Sequence, residues 1–192
     1  MVLTNPDCAA KCRSVALDYF RFTGLSEHRR SAPEVIWIYG TTGSGKSRLA
    51  EAYCRKVAGE DYYFHAPGSL KWWDGYEEQS AVILDDLRRR HLREVGGFSY
   101  LLRILDRYDC QIEVKGGFRK NKYNLVIITG QRDPVAEFTY RGDNNEDIVE
   151  EDMGQLIRRL ARIIELRVLD GVVQEIDHTD VLKQRFGVLS CG

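Results

Sequence analysis

The sequence predicts an α/β domain built around a parallel sheet, and three apolar segments carry this prediction. The segments are Val35–Tyr39, Ala81–Leu84 and Leu125–Ile128, and each is followed by a glycine, an acid or a hydroxyl residue. Short, continuous apolar runs of this kind are typical of strands that are buried on both faces of a sheet. Stretches with helical spacing lie between them, which favours parallel strands joined by crossovers.

The first strand leads into a glycine-rich stretch that is followed by a segment with a helical pattern, Arg48–Cys54. The residues of the stretch are Gly40, Thr41, Thr42, Gly43, Ser44, Gly45, Lys46 and Ser47. Strand, G-x-x-x-x-G-K-[ST] and helix together predict a phosphate-binding P-loop, although a glycine-rich turn can match by chance. Glycines let several backbone N–H groups point at one anion, and the helix adds its positive end. We expect all eight residues to bind ATP, with Lys46 at the β- and γ-phosphates and the Ser47 hydroxyl on Mg²⁺.

The second strand ends in two acids, Asp85 and Asp86. A buried strand presents such carboxylates at its C-terminal end, which is where a P-loop domain holds Mg²⁺ and its water shell. We expect Asp85 to bind the Mg²⁺ shell. Asp86, one residue on, is expected to orient and polarise the attacking water as general base.

A basic stretch follows these acids. Four of the eight residues in Leu87–Glu94 are arginines. Such a run is usually a solvated face, but it also suits contacts with phosphate groups. The sequence leaves both interpretations open.

A basic turn then separates Gln111–Val114 from the third apolar strand, so a β-hairpin is expected here. Its cations are Lys115, Arg119, Lys120 and Lys122, its glycines are Gly116 and Gly117, and its aromatic residues are Phe118 and Tyr123. Cations for phosphates and rings that stack on bases suit a single nucleic-acid strand. A solvated hairpin is the alternative interpretation.

The third strand ends in Thr129-Gly130-Gln131. Gln131, or Thr129 itself, is the polar group available there to sense a γ-phosphate.

The last third of the chain predicts a helix and a second hairpin. Gln155–Arg162 has the pattern of a short basic helix, and Ile163–Val168 that of a strand. Asp170-Gly171 predicts a turn into a further strand, Val172–Ile176. No pattern predicts structure for residues 177–192.

The bulk composition excludes several classes of protein. A chain of 192 residues with 43% hydrophobic and 30% charged residues predicts one ordinary soluble domain, or one domain with a small appendage. The net charge of −1 means that any polyanion site must be local. The five cysteines lack zinc spacing, so we expect reduced thiols in a reducing compartment. No signal peptide or membrane-spanning run is evident, and no membrane partner is expected.

Residues 7–22 have the pattern of an amphipathic helix. Its apolar positions are Cys8, Cys12, Val15, Ala16, Tyr19, Phe20 and Phe22. This face is expected to pack on the domain or on a neighbouring subunit.

The motifs GTTGSGKS, KWWDGY, AVILDD, VKGG, LVIITGQ and LIRRLARIIEL, in this order, resemble the helicase domain of replication-initiator (Rep) proteins. These proteins belong to small circular single-stranded DNA viruses, and the circovirus-like group is the most similar. They are superfamily 3 helicases with an AAA+-like P-loop NTPase core. The resemblance covers about residues 33–168. The combination of WWDGY, the double-Asp strand and the KGG hairpin makes it specific.

The resemblance implies an activity and an assembly. It implies an ATP-dependent DNA helicase that forms a ring, usually a hexamer, with ATP bound between subunits. It also implies translocation on single-stranded DNA in the host nucleus. The N-terminal helix would then serve oligomerisation.

The resemblance also implies roles for individual residues. In the nucleotide site, Lys46 and Ser47 match the Walker A motif, and Asp85 and Asp86 match Walker B. Lys115, with Gly116 and Gly117, matches the pore hairpin that tracks DNA. Arg158 and Arg159 match the region that supplies an arginine finger to the neighbour's ATP. An arginine supplied in trans makes hydrolysis depend on assembly.

Two features depart from the family. Its third motif usually ends in Asn, where this chain has Gln131. Complete Rep proteins also have an N-terminal nicking domain with a His-hydrophobe-His motif and a catalytic Tyr, and neither pattern occurs here. We expect either an excised domain or a protein without nicking activity.

Three segments are therefore predicted. They are a helical oligomerisation segment at residues 1–31, a helicase core at 32–169 and a C-terminal tail at 170–192. The alternatives are a non-unwinding AAA+-like ATPase, an RNA helicase of the same superfamily and a P-loop kinase. The paired acids favour water activation over phosphoryl transfer to a bound substrate, whereas the choice of DNA over RNA depends on the resemblance alone.

Overall fold

The computed structural model describes residues 31–150 and 152–188. Within them the strands are β1 (Glu34–Gly40), β2 (Tyr62–His65), β3 (Ala81–Leu84), β4 (Gln111–Val114), β5 (Gly117–Lys120), β6 (Leu125–Gly130), β7 (Thr139–Arg141), β8 (Asp147–Val149), β9 (Leu160–Leu169) and β10 (Val172–Asp177). The helices are α1 (Lys46–Ala58), α2 (Phe98–Ile104), α3 (Pro134–Glu137), α4 (Met153–Arg159) and α5 (Thr179–Arg185), and Arg89–Val95 is a 3-10 helix.

A six-stranded sheet in the order β10-β9-β1-β6-β3-β2 forms the centre of the fold. The neighbours from β9 to β2 pair in parallel, and β10 pairs antiparallel with β9. Ile128 of β6 lies opposite Trp37 on one side and Leu84 on the other. The ends of β1, β3 and β6 therefore meet at one edge of the sheet. This confirms the predicted α/β class with its parallel core.

The apolar core covers both faces of the sheet, which is why its central strands are continuous apolar runs. On one face Ile36 and Ile38 pack with Ala50 and Cys54 of α1. On the other face Trp37 belongs to a larger cluster that includes Trp73, Phe138 and residues of α2. The alternation along β1 thus fixes α1, and with it the P-loop, against one face.

Two hairpins accompany the central sheet. The antiparallel pair β4–β5 is the predicted insertion, and its two-residue turn is Lys115-Gly116. The second pair, β7–β8, was not predicted. Its strand β8 lies within an acidic stretch whose composition is typical of an exposed loop.

The C-terminal third differs from the sequence prediction in two places. The predicted helix Gln155–Arg162 ends early, because Leu160 already pairs with Val35 of β1. Pairing with the central strand overrides a local helical pattern. The stretch without a predicted structure contains α5, whose Leu182 is buried. The predicted boundary at residue 170 falls in the turn between the paired strands β9 and β10.

The predicted helix at residues 7–22 lies outside the described residues, as do Cys8, Cys12 and Cys191. The other two cysteines, Cys54 and Cys110, are free and buried. Burial raises the pKa of the Cys54 thiol to about 12. Of the helices in the described part, none is long and apolar enough to cross a membrane.

Candidate functional site

The start of the P-loop lies close to Leu166, within β9. Gly40 has a φ of 153°, and a Cβ added there would lie 2.3 Å from the carbonyl oxygen of Leu166. Gly43 and Gly45 also have positive φ angles, but nothing lies within 4 Å of their Cβ positions. Gly40 is thus required for space as well as for backbone conformation, whereas the other two are required for conformation.

Lys46 lies at the first position of α1 and folds back over the loop. Its Nζ donates to the carbonyl oxygens of Gly40 at 2.9 Å and Thr41 at 2.8 Å. Burial holds the pKa of Lys46 below its usual value; the nearby Asp86 and Asp85 oppose this decrease. The P-loop lysine and both predicted acids therefore share one electrostatic site.

Two hydroxyl groups converge on Asp85. Ser47 Oγ donates to Asp85 Oδ1 at 2.7 Å, and Thr129 Oγ1 donates to the same oxygen at 2.8 Å. The buried Thr129 hydroxyl also accepts a bond from the backbone N–H of Asp86 at 2.8 Å. These bonds join α1, β3 and β6, and they bring the two predicted Mg²⁺ ligands, Ser47 and Asp85, into contact.

Asp86 lies in a constrained turn. Its φ of 46° is uncommon for a residue other than glycine. Its Oδ1 accepts a bond from Arg88 Nη2 at 2.7 Å. Another guanidinium nitrogen of Arg88 lies 3.9 Å from Glu137 Oε2. Glu137 accepts the N–H of Arg89 at 3.0 Å, so the turn after β3 is attached to the end of α3.

Gln131 reaches the P-loop from the end of β6. Its Nε2 donates to Thr42 Oγ1 at 3.4 Å, which is a long hydrogen bond. Gln131 is exposed at the same edge of the sheet as Lys46 and Asp85. The structure thus places the predicted sensor beside the glycine-rich loop.

The donor set at this edge fits a nucleoside triphosphate with Mg²⁺. Among the described residues, no group of three or more His, Cys, Asp or Glu side chains could hold a metal alone. One hydroxyl and one carboxylate, Ser47 and Asp85, are the small set that Mg²⁺ uses when phosphate oxygens and waters complete its shell. Ser44 Oγ is buried in the loop without a hydrogen-bond partner in the described part of the chain. It is available to an anion held by the loop.

The hairpin turn of β4–β5 carries an exposed lysine. Lys115 is 78% exposed, and its Nζ lies 2.9 Å from Asp74 Oδ2. Its backbone N–H donates to the other oxygen of the same carboxylate at 2.9 Å. The hydrogen bond from the Lys115 side chain holds the pKa of Asp74 below its usual value.

The other predicted DNA-binding cations also have acidic partners. Arg119 donates to both oxygens of Glu77 at 3.1 Å. Lys122 Nζ lies 2.9 Å from Glu78 Oε2, and Lys120 Nζ lies 4.0 Å from Asp109 Oδ2. We call Asp74–Glu78 the acidic segment. Nucleic-acid phosphates would have to compete with its carboxylates for the hairpin.

The prediction that Tyr123 stacks on a base is wrong. Tyr123 is fully buried, and its hydroxyl donates to the carbonyl oxygen of Ile104 at 2.8 Å. It is a core residue. Phe118 remains 46% exposed on β5 and is accessible to a base.

Arg158 and Arg159 lie away from the P-loop of their own chain. They end α4, directly before β9, and β9 runs parallel to β1. They therefore lie at the edge of the sheet opposite to Lys46. Arg158 is exposed, and its one side-chain hydrogen bond to the described residues is a long one to Gln155 Oε1 at 3.4 Å. Arg159 donates to Asp106 Oδ2 at 2.5 Å within its own chain.

For three residues at the site, sequence reasoning missed the contacts that the structure shows. Thr129 was considered only as a phosphate sensor, although its position at the end of a buried strand next to β3 could have indicated the bond to Asp85. Arg88 was one of several arginines in a run. Glu137 had no local signal at all, because it meets Arg88 only through the fold.

A parallel sheet with a P-loop after its central strand β1, and a carboxylate that follows β3 and accepts a bond from the P-loop serine, define a P-loop NTPase. Comparison with known proteins is more specific. A family model described as RNA helicase matches residues 36–129.

The chain is 34% identical over 144 residues to a replication-associated protein of Human associated cyclovirus 1, which covers 68% of this chain and 48% of that protein. It is 40% identical over 103 residues to the replication-associated protein of Goose circovirus, covering 53% of this chain and 31% of that protein. A genome polyprotein of Human rhinovirus 16 is 31% identical over 83 residues, or 43% of this chain and 4% of the polyprotein.

The chain belongs to the superfamily 3 helicase domains of circovirus-like replication-associated proteins. It spans about half or less of the length of these replication-associated relatives.

Proposed function

We propose that this chain is the ATP-hydrolysing motor of a viral rolling-circle replication initiator. The observation that carries the proposal is the 2.7 Å contact between Ser47 Oγ and Asp85 Oδ1. It joins the last residue of the P-loop motif to the first acid after β3, which is the pairing that a Mg²⁺–nucleotide site requires.

Each residue at this edge has a role in the proposed reaction. The P-loop amides and Lys46 bind the phosphates, and Ser47 with Asp85 hold the metal. Mg²⁺ would supply charge neutralisation to the β- and γ-phosphate oxygens. Asp86 accepts a proton from the attacking water, and Gln131 contacts the γ-phosphate end.

The proposal includes a ring of identical subunits, with six as the expected number. Its support is the position of Arg158, which is exposed at the edge opposite to the P-loop of its own chain. An arginine there cannot reach the ATP of its own subunit, but it can reach that of a neighbour. A trans arginine stabilises the charge of the transition state, and hydrolysis then depends on assembly.

Single-stranded DNA is the proposed track, and the hairpin tip is the proposed contact. Lys115 supplies an exposed cation beside Gly116, where no Cβ hinders the approach of a strand, and Arg119, Lys120 and Lys122 flank them. A ring would bring several copies of this small basic hairpin together despite the near-zero net charge. The host nucleus is the proposed location, as the relationship to replication-associated proteins suggests.

An RNA track is the second candidate function. The matching family model is described as RNA helicase, and a similar segment occurs in a rhinovirus polyprotein. The hairpin cations suit the phosphates that both nucleic acids share. The 40% identity to a circovirus protein favours DNA.

The test is ATP hydrolysis by this chain at increasing protein concentration, without nucleic acid and with a DNA or an RNA strand of the same length. We expect turnover per subunit to increase with concentration and again with DNA. Turnover that is independent of both would contradict the motor and favour a self-contained P-loop enzyme, such as a kinase. Stimulation by RNA alone would favour the second candidate.

A further inference from the structure

Arg88 is a largely buried arginine that contacts the carboxylate assigned above to water activation. Its side chain is 17% exposed, and Nη2 lies 2.7 Å from Asp86 Oδ1. An arginine remains charged in proteins and holds a carboxylate with directional N–H bonds. The contact therefore constrains the orientation of the Asp86 side chain.

A second acid holds Arg88 from the other side. Glu137 ends α3, a helix whose N-terminus is capped by Asp133, which accepts bonds from Val135 and Ala136. The Glu137 side chain is 9% exposed, and its Oε2 lies 3.9 Å from Arg88 Nη1. Its Oε1 accepts the backbone N–H of Arg89. Arg88 thus lies between the turn after β3 and the helix after β6. Its side chain is therefore not free to move out into solvent.

The backbone of Asp86 is fixed independently. Its N–H donates to the buried Thr129 hydroxyl, and its φ is positive. With backbone and Oδ1 both held, the remaining acceptor of the side chain is Oδ2. Correct placement of a catalytic group within a fraction of an ångström has large effects on rate, on the order of 10²-fold for about 1 Å.

We infer that Arg88 is a positioning residue, which holds Asp86 through Oδ1 and leaves Oδ2 to accept the proton of the attacking water. The inference rests on the proposed ATPase role of Asp86. In that step the water oxygen forms a bond to the γ-phosphorus, and the bond to the β–γ bridging oxygen breaks. ADP leaves with that electron pair, and the water proton passes to Asp86.

A direct phosphate contact by Arg88 is the alternative. The neighbouring Arg90, Arg93 and Arg132 line the same concave surface as Arg88, which would suit an anion. The two roles differ in a measurable way. Loss of a phosphate contact weakens the binding of ATP relative to ADP, whereas loss of positioning lowers kcat and leaves nucleotide affinity unchanged.

The experiment measures kcat, KM and the affinities for ATP and ADP in Arg88→Gln and Arg88→Lys. Arg55→Gln is the matched control, because Arg55 is an exposed arginine near the C-terminal end of α1 and its partners there are Glu51, Glu60 and Tyr62. For Arg88→Gln we expect kcat to decrease by about 10²-fold with little change in the affinities. Arg88→Lys keeps the charge, and it should retain more activity. The control should match the wild type.

A double-mutant cycle then tests whether Arg88 acts through Asp86. In an Asp86→Asn background, Arg88→Gln should cause no further loss of the residual rate. An equal loss in both backgrounds, or a selective loss of ATP affinity, would overturn the inference. Glu137→Gln provides a variant that leaves both Arg88 and Asp86 in place, and it should lower kcat by a smaller factor. If it and both Arg88 variants keep full kcat, the inference is wrong.

The same variants distinguish a failure of the proposed function from a failure of the positioning role. If Asp86→Asn keeps wild-type turnover, the role of Asp86 is wrong, and the positioning role falls with it. If Asp86→Asn loses turnover while Arg88→Gln keeps it, only the positioning role is wrong.

Discussion

Arg159 donates from Nη2 to Asp106 Oδ2 across 2.5 Å and so connects the end of α4 to the residues after α2 within one subunit. Its side chain is 14% exposed. Arg158, the next residue back along the chain, is exposed and has no acid partner among the described residues. The sequence alone does not distinguish Arg158, Arg159 and Arg162 as the finger, and the first two have different environments in the structure.

We predict that Arg158→Ala abolishes ATP turnover without affecting folding, because an arginine finger contributes on the order of 10³-fold or more to hydrolysis. Arg159→Ala is expected instead to lower the free energy of unfolding, by about 1–3 kcal/mol, since it leaves Asp106 Oδ2 without its charged donor. Thermal melting and ATPase assays distinguish the two. Mixing Arg158→Ala with Lys46→Ala subunits should restore part of the turnover, whereas a mixture that stays inactive would argue against a finger in trans.

The Asp106–Arg159 pair also predicts a pH dependence of stability. Burial raises the pKa of Asp106, but the bonds from Arg159 and from the N–H of Arg107 outweigh it and hold the pKa below the usual 3.8. A depressed pKa in the folded state stabilises the protein at higher pH, and this stabilisation is lost as the pH falls through the folded value. The difference in melting temperature between wild type and Asp106→Asn should therefore be present at pH 7 and decrease below about pH 4. A constant difference from pH 7 to pH 3 would contradict the assignment.

Local patterns predicted the centre of this fold, and contacts between distant residues determined the rest. The three buried strands and the P-loop depend on continuous apolar runs and on glycine at fixed positions. No local pattern could show that Glu137 meets Arg88, or that Asp74 meets Lys115, because each pair is brought together by folding. The start of β9 at Leu160 was missed for the same reason, since β1 supplies its partner.

Lys46→Ala is predicted to abolish ATP turnover and to leave the fold intact. The Lys46 side chain bonds only to loop carbonyl oxygens among the described residues, so its removal breaks no direct ion pair within them. Circular dichroism and thermal melting would check the fold, and phosphate release would check turnover. Lys56→Ala, an exposed lysine further along α1, is the control. Retained turnover in the Lys46 variant would overturn the whole site assignment.

Gly40→Ala should destabilise the protein strongly, by roughly 2–4 kcal/mol. The new Cβ would lie 2.3 Å from the backbone oxygen of Leu166, and a backbone atom cannot move aside as a flexible side chain can. In Gly43→Ala the added Cβ has open space around it, and the only cost is that of the positive φ. The decrease in the free energy of unfolding should therefore be smaller. Urea unfolding of both variants measures the difference. Equal decreases in the free energy of unfolding for the two variants would show that the close approach of β9 to Gly40 does not determine the cost of the substitution.

The hairpin contacts predict opposite effects from opposite charges. Lys115→Ala should keep basal ATPase activity and lose affinity for single-stranded DNA, because it removes the exposed cation at the turn. Glu77→Gln with Glu78→Gln should increase that affinity, since the change releases Arg119 and Lys122 from their acidic partners. Anisotropy titrations over a range of salt concentrations measure both effects. The salt slope should change by about 0.7 for each DNA phosphate that a variant newly binds or no longer binds.

The controls for this last prediction lie outside the hairpin. Lys56→Ala and Glu175→Gln change the same charges at exposed positions that form no ion pair within residues 31–150 and 152–188. Both should leave the affinity for DNA unchanged, because exposed charges beyond about 10 Å are screened at ordinary salt. If Lys115→Ala binds DNA as the wild type does, the contact lies elsewhere, and the arginines of Leu87–Glu94 become the candidates. If Glu77→Gln with Glu78→Gln weakens binding, the acidic segment holds the hairpin in its binding conformation and does not compete with the phosphates.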